Sequence, residues 1–124
     1  MLPQQSRMRS PEEFKRTMRS GRRAGGATLS AHVLLASGAV PEDPEPKVGF
    51  VVSRAVGSAV VRNRVKRRLR ELMRGRLASL PRGCLLVLRA HPAAASARQA
   101  DLAADLDLVI GRLLPRQVGA LRQE

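Results

Sequence analysis

Apolar and polar positions change period along this chain, and each change marks an element. In ATLSAHVLLAS, residues 27–37, Leu29, Ala31, Val33 and Leu35 alternate with Thr28, Ser30 and His32. A period of two predicts a strand with one apolar face. KVGFVVS, starting at Lys47, predicts a second strand, antiparallel to the first, and GCLLVLRA, residues 83–90, a further one. Between them the period lengthens. Over residues 59–74, Val61, Val65, Leu69, Leu72 and Met73 share one face at about 100° per residue, which predicts a helix lying on the sheet. Leu102, Leu106, Val109, Ile110 and Leu113 form the stripe of a last helix, started by a capping box from Ser96 to Gln99.

Local chemistry fills in the rest. SPEEFKRTMRSG reads as a complete first helix, with Ser10 as N-cap, Pro11 in the first turn, Glu13 closing a capping box and Gly21 as a left-handed C-cap. Phe14 and Met18 lie one turn apart on its face. Residues 37–46, SGAVPEDPEP, hold three prolines and three acids and read as a loop. Residues 1–9 read as a mobile basic arm and the tail from Pro115 as frayed, leaving a core over 10–114. The order α-β-β-α-β-α is that of a two-layer α+β sandwich, three helices against a small sheet. At 124 residues the chain is expected to form a single domain.

Charge narrows the function. A net +13 with 44% hydrophobic residues describes a foldable, strongly basic chain, and that points to nucleic acid. Phe14 and Phe50 are the only aromatic residues. A sheet that stacks several bases is therefore excluded, and phosphate and shape contacts must carry most of the binding. No apolar run reaches the roughly 18 residues of a membrane span. The N-terminus lacks an apolar secretory core, and the single cysteine, Cys84, fits a reducing compartment. A cytoplasmic location with no membrane partner is the expectation.

The basic residues are concentrated. Arg62, Arg64, Lys66, Arg67, Arg68, Arg70, Arg74 and Arg76 stand against one acid, Glu71, a local excess of +7. An ordinary solvated helix mixes in acids to gain pair stabilisation. This one does not, and its arginines suit phosphate. Arg62, Lys66 and Arg70 form a row bordering the apolar face, Arg68 borders its other edge, and Arg76 would fall inside the apolar arc, so regular packing should loosen near Gly75. Gly57 and Ser58 precede the helix, whose first amides offer a further anion contact. DNA binding is disfavoured because no dimerisation heptads follow Leu72. A structural RNA-binding protein, such as a ribosomal protein, shares the composition.

No catalytic or metal-binding constellation is visible. His32 and His91 lack acids or cysteines at ligand spacing and read as packed or surface histidines, and Cys84 as a buried apolar residue. Asp101 and Asp105 stand one turn apart, a spacing that suits a cation or simply the helix dipole. No Walker or Rossmann glycine loop occurs.

The run KVGFVVSRAVGSAVVRNRVKRRLREL resembles the protein subunit of bacterial ribonuclease P, with its Val-Gly-Phe strand, basic turn, Val-Gly-x-Ala-Val link and Arg-Asn-Arg helix. Leu2-Pro3 and the spacing of Phe14 and Gly21 extend the likeness over roughly residues 2–114. The resemblance implies a four-stranded sheet with a left-handed βαβ crossover. It implies two partners, a catalytic RNA subunit and precursor tRNA, and magnesium held mainly by the RNA, which removes the 5′ leader. Carried over by motif, Arg62, Asn63, Arg64, Lys66, Arg67, Arg70 and Arg54 bind the RNA subunit, while Phe14, Met18 and Phe50 line a leader cleft between the first helix and the sheet. Two departures stand out. The turn Ser53-Arg54-Ala55 lacks one customary basic residue, and Met18 replaces a second aromatic.

Overall fold

The computed structural model describes residues 2–35 and 45–114. The elements are α1 (Pro11–Ser20), β1 (Arg22–Gly25), β2 (Leu29–Leu34), β3 (Lys47–Val51), α2 (Ala59–Arg74), β4 (Leu85–Ala90) and α3 (Gln99–Leu113). Most of the 37–46 loop and the tail from Pro115 lie outside the described residues.

The four strands form one mixed sheet in the order β1-β2-β4-β3. β2 is antiparallel to β4, with Leu29 opposite Ala90, and β3 is parallel to β4, with Phe50 opposite Leu88. β3 thus runs opposite to β2, as the sequence predicts, but does not pair with it. β4 comes between them, and α2 links β3 to β4 as parallel neighbours.

The alternation of β2 is realised. Leu29, Ala31 and Val33 join Val48, Leu86 and Leu88 in the main core beneath α2 and α3. The intervening residues face α1, where Met8, Leu85 and Val87 form a smaller cluster with Phe14, Met18, Leu34 and Val51. Helices therefore cover both faces, and α1 adds a small third layer that the two-layer reading leaves out.

The ends of the elements correct several local expectations. Ser10 caps α1 by accepting the Glu13 amide at 3.4 Å, but the Glu13 carboxylate turns to Lys47 at 3.2 Å, so only half the capping box forms. Gly21 ends α1 in extended backbone, φ −78° and ψ 161°, and not in a left-handed cap. Glycine is needed there because a Cβ would meet the Thr17 carbonyl oxygen and lie 2.7 Å from that of Val33. Arg98, not Ser96, is the N-cap of α3, and no side chain caps that end.

Two segments depart further. β1 has no apolar alternation and was not anticipated; as an edge strand it pairs only with β2, from Arg22 opposite Val33 to Gly25 opposite Ser30. Residues 2–9, read as a mobile arm, are docked. Leu2, Ser6 and Met8 are buried, and the Met8 amide donates to the Val48 carbonyl at 3.0 Å on the outer edge of β3.

Candidate nucleic-acid interface

α2 forms despite its charge because its apolar face is deeply buried. Val65, Leu69 and Met73 are fully enclosed, each contributing about 1.5–3 kcal/mol. Like-charge pairs one turn apart cost only a few tenths of a kcal/mol each, so burial prevails. Ser58 caps the first turn by accepting the Val61 amide at 3.3 Å.

The structure divides the basic residues into three sets. Four are engaged within the protein. Arg62 Nε donates to the Gly57 carbonyl at 3.2 Å, and Arg68 Nη1 to the Ala97 carbonyl at 3.0 Å. Arg74 pairs with Glu71 at 2.7 Å. Arg76 grips Asp107 with Nε at 2.7 Å and Nη2 at 3.1 Å, while its Nη1 donates to the Leu72 carbonyl at 2.8 Å. That contact raises the Arg76 pKa and lowers that of Asp107, chiefly through the shared hydrogen bonds. α2 ends at Arg74, before the apolar arc would have buried Arg76, as the loosening read near Gly75 requires.

The second set points outward. Asn63, Arg64 and Arg67 are exposed on α2, and Arg54 is exposed on the 3-10 turn Arg54–Val56 that precedes it. Among the described residues, Arg64, Lys66, Arg67 and Arg70 form no ion pair.

Lys66 and Arg70 turn toward the sheet edge. With Phe14, Gly49, Phe50 and Met8 they line a cleft of about 170 Å³ between α1, β3 and α2. The cleft is thus walled by α2 as well as by the first helix and sheet, and two cations assigned to the RNA-subunit face stand beside its aromatic residues. Their place in the row bordering the apolar face is what turns them there. Phe14 and Phe50 share this cleft, whereas Met18 lies in the cluster with Leu34 and Val51.

Sequence reasoning missed three cations beside the cleft. Arg7 and Arg9 reach its wall, and they flank a wider groove of about 540 Å³ with Lys47. The usable signal was alternation, since buried Ser6 and Met8 interleave with Arg7 and Arg9.

A further cavity, of about 230 Å³, is lined by Arg23, Ser30, Ser53, Arg89 and His91. His91 follows β4 and has Nε2 3.1 Å from Ser30 Oγ. His32 is buried nearby, and burial first, then Arg23 and Arg89, hold its imidazole below the ordinary pKa of 6.5.

The remaining titratable groups have structural roles. Asp105 Oδ2 accepts the Thr28 amide at 2.8 Å and the Thr28 hydroxyl at 2.5 Å, while Asp101 lies 3.5 Å from Arg98, so the two acids are directed to different partners. Cys84 is buried and its thiol is pushed up to about 12. The described residues gather no group of three or more potential metal-ligating side chains.

Comparison with known proteins identifies the family. The model of the Ribonuclease P family matches residues 2–114. The ribonuclease P protein component of Streptomyces avermitilis is 52% identical over 120 residues, covering 92% of this chain and 96% of the relative. That of Acidothermus cellulolyticus is 47% identical over 113 residues, covering 91% and 92%. Among solved structures, the RNase P protein of Staphylococcus aureus superposes with a TM-score of 0.75 at 20% identity, covering 89% of this chain and 98% of that one. The Thermotoga maritima protein gives 0.71 at 19%, covering 88% and 98%. By sequence and by fold, the chain belongs to the bacterial ribonuclease P protein component family.

Proposed function

We propose that this chain works in the cytoplasm as the binding subunit of a ribonuclease P holoenzyme. In this reading Asn63, Arg64, Arg67 and Arg54 hold phosphates of the catalytic RNA subunit, and the cleft of Phe14 and Phe50 receives the 5′ leader of precursor tRNA. The observation that carries it is the position of α2. One helix presents cations outward and also sends Lys66 and Arg70 into the aromatic cleft, so a substrate held there lies against the RNA-binding element. The family to which the chain belongs supports the same assignment.

The chemistry in this reading belongs to the RNA subunit. Magnesium bound there supplies the metal catalysis of phosphodiester hydrolysis, and this chain, whose described residues gather no ligand cluster, is given no part in holding it. Its own residues bind and orient the leader, exclude water around Phe14, and offset phosphate repulsion that opposes magnesium binding.

Reconstitution tests this. The chain and the catalytic RNA should together cleave precursor tRNA at low magnesium, where either alone does little, and high magnesium should largely replace the protein. If the protein leaves the magnesium dependence of cleavage unchanged, the reading is wrong and a structural RNA-binding role takes its place.

A further inference from the structure

A second basic run lies outside α2. KRTMRSGRR, residues 15–23, carries Lys15, Arg16, Arg19, Arg22 and Arg23 with no acid, a charge density as high as that of residues 62–76. Phe14, Thr17 and Met18 turn inward from α1, so Lys15, Arg16 and Arg19 share its outward side, where all three are exposed. Arg22 is exposed at the start of β1, directly after the helix. Arg23 turns instead to the cavity with Ser30 and Arg89. None of the five forms an ion pair among the described residues.

The fold itself has limited use for these charges. The helix dipole accounts for Arg19, the basic residue of the last turn, and protection of an exposed strand edge accounts for Arg22. Neither accounts for Lys15 or Arg16. Arg19 also stands one turn from both of them, and like charges at that spacing destabilise a helix, here one of only ten residues.

α1 and α2 cover opposite faces of the sheet. The outward side of α1 therefore looks away from Arg64 and Arg67, and a rigid duplex resting on one side does not reach the other. Phe14 faces the cleft on the inner side of α1, so no aromatic ring stands among these cations to stack a base. Such a surface suits the phosphate backbone of duplex RNA. The repulsion among Lys15, Arg16 and Arg19 is relieved only while a polyanion is bound, which favours a lasting partner over a substrate that leaves at each turnover.

We infer that the outward side of α1, with Lys15, Arg16 and Arg19, docks a duplex segment of the catalytic RNA distinct from the segment held by α2. The inference rests on the proposed RNA-subunit role of the chain. It makes the protein a clamp between two parts of that RNA, one on each face of the sheet.

The first test replaces the three cations together, Lys15→Gln, Arg16→Gln and Arg19→Gln, and measures affinity for the catalytic RNA across a salt titration. The variant should bind on the order of tenfold more weakly at moderate salt, and its salt slope should be shallower by about two. Its unfolding midpoint should stay level or rise, because repulsion is relieved and glutamine retains helix propensity. The preference of the holoenzyme for precursor over mature tRNA should be unchanged. Arg64→Ala separates the two readings. If it weakens RNA-subunit binding while the triple variant does not, only the α1 surface fails; if neither does, the RNA-subunit role fails with it. A triple variant that spares the catalytic RNA but weakens mature tRNA assigns the surface to tRNA and overturns the inference. The second test is photo-crosslinking in the holoenzyme through a thiol label on Arg16→Cys or, on α2, on Val60→Cys, an exposed position. Cys84 is buried, with its thiol pushed up to about 12, so the label goes to the introduced cysteine. The two positions should mark separate segments of the catalytic RNA. A shared segment, or no crosslink to that RNA from position 16, would overturn the inference.

Discussion

The ring of Phe14 rests on the backbone of Gly49, where a side chain would otherwise stand. A Cβ built on Gly49 falls on the ring edge, 2.5 Å from Cε1, and 3.3 Å from the Met8 Cβ. The glycine of the Val-Gly-Phe strand is required by this close approach, because any larger residue displaces the ring that forms the cleft wall. Gly49→Ala should therefore reproduce the binding defect of Phe14→Ala, a loss of about 1–3 kcal/mol in preference for precursor over mature tRNA if one base stacks there. The double variant should add little to either single one. Holoenzyme affinities for both tRNAs give the cycle, and additive losses would show that Gly49 acts elsewhere.

Salt dependence should reflect the free cations and not the total. Arg62, Arg68, Arg74 and Arg76 are engaged internally, and Lys66 and Arg70 turn into the cleft, leaving Arg64 and Arg67 on α2 and Arg54 just before it. Three neutralised phosphates there contribute a slope of log affinity against log salt of roughly −2 to −3 for the RNA subunit. Titration of binding against potassium chloride measures it, and a slope near zero excludes phosphate neutralisation by α2.

Arg76 and Arg64 should exchange phenotypes. Arg76→Ala removes both hydrogen bonds to Asp107 and one to the Leu72 carbonyl. With Asp107 largely exposed, the expected cost is only about 1 kcal/mol of stability, seen in urea unfolding, with RNA affinity unchanged in the folded protein. Arg64→Ala should weaken RNA binding and leave the unfolding midpoint in place.

Stability should fall on mild acidification because of His32. Burial, then Arg23 and Arg89, depress its pKa below 6.5 in the folded chain, so the unfolded chain takes up this proton more readily. The contribution is fully present above pH 6.5 and is lost as pH falls through the depressed folded value. Thermal unfolding from pH 8 down to pH 5 should show this decline, and His32→Gln should flatten it. His91 near Ser30 remains in that variant, so an unchanged profile would move the effect away from His32.

Periodicity determined much of this protein by itself. Alternation in β2 marked Leu29, Ala31 and Val33 as core, and the longer period marked Val65, Leu69 and Met73, because burial of one face is written directly into residue spacing. The same wheel placed Lys66 and Arg70 beside the apolar face, and the Arg-Asn-Arg helix made the family resemblance legible. Tertiary structure decided the rest. β1 carries no pattern because an edge strand needs only backbone pairing, and the insertion of β4 between β2 and β3 depends on competition among strands that periodicity does not rank. Gly21 and Gly49 are set by atoms approaching from distant segments, and Arg76 is removed from the outward-facing cations by Asp107, 31 residues away. A side chain's own period says which way it points, but what it meets there is fixed only when other parts of the chain are packed against it.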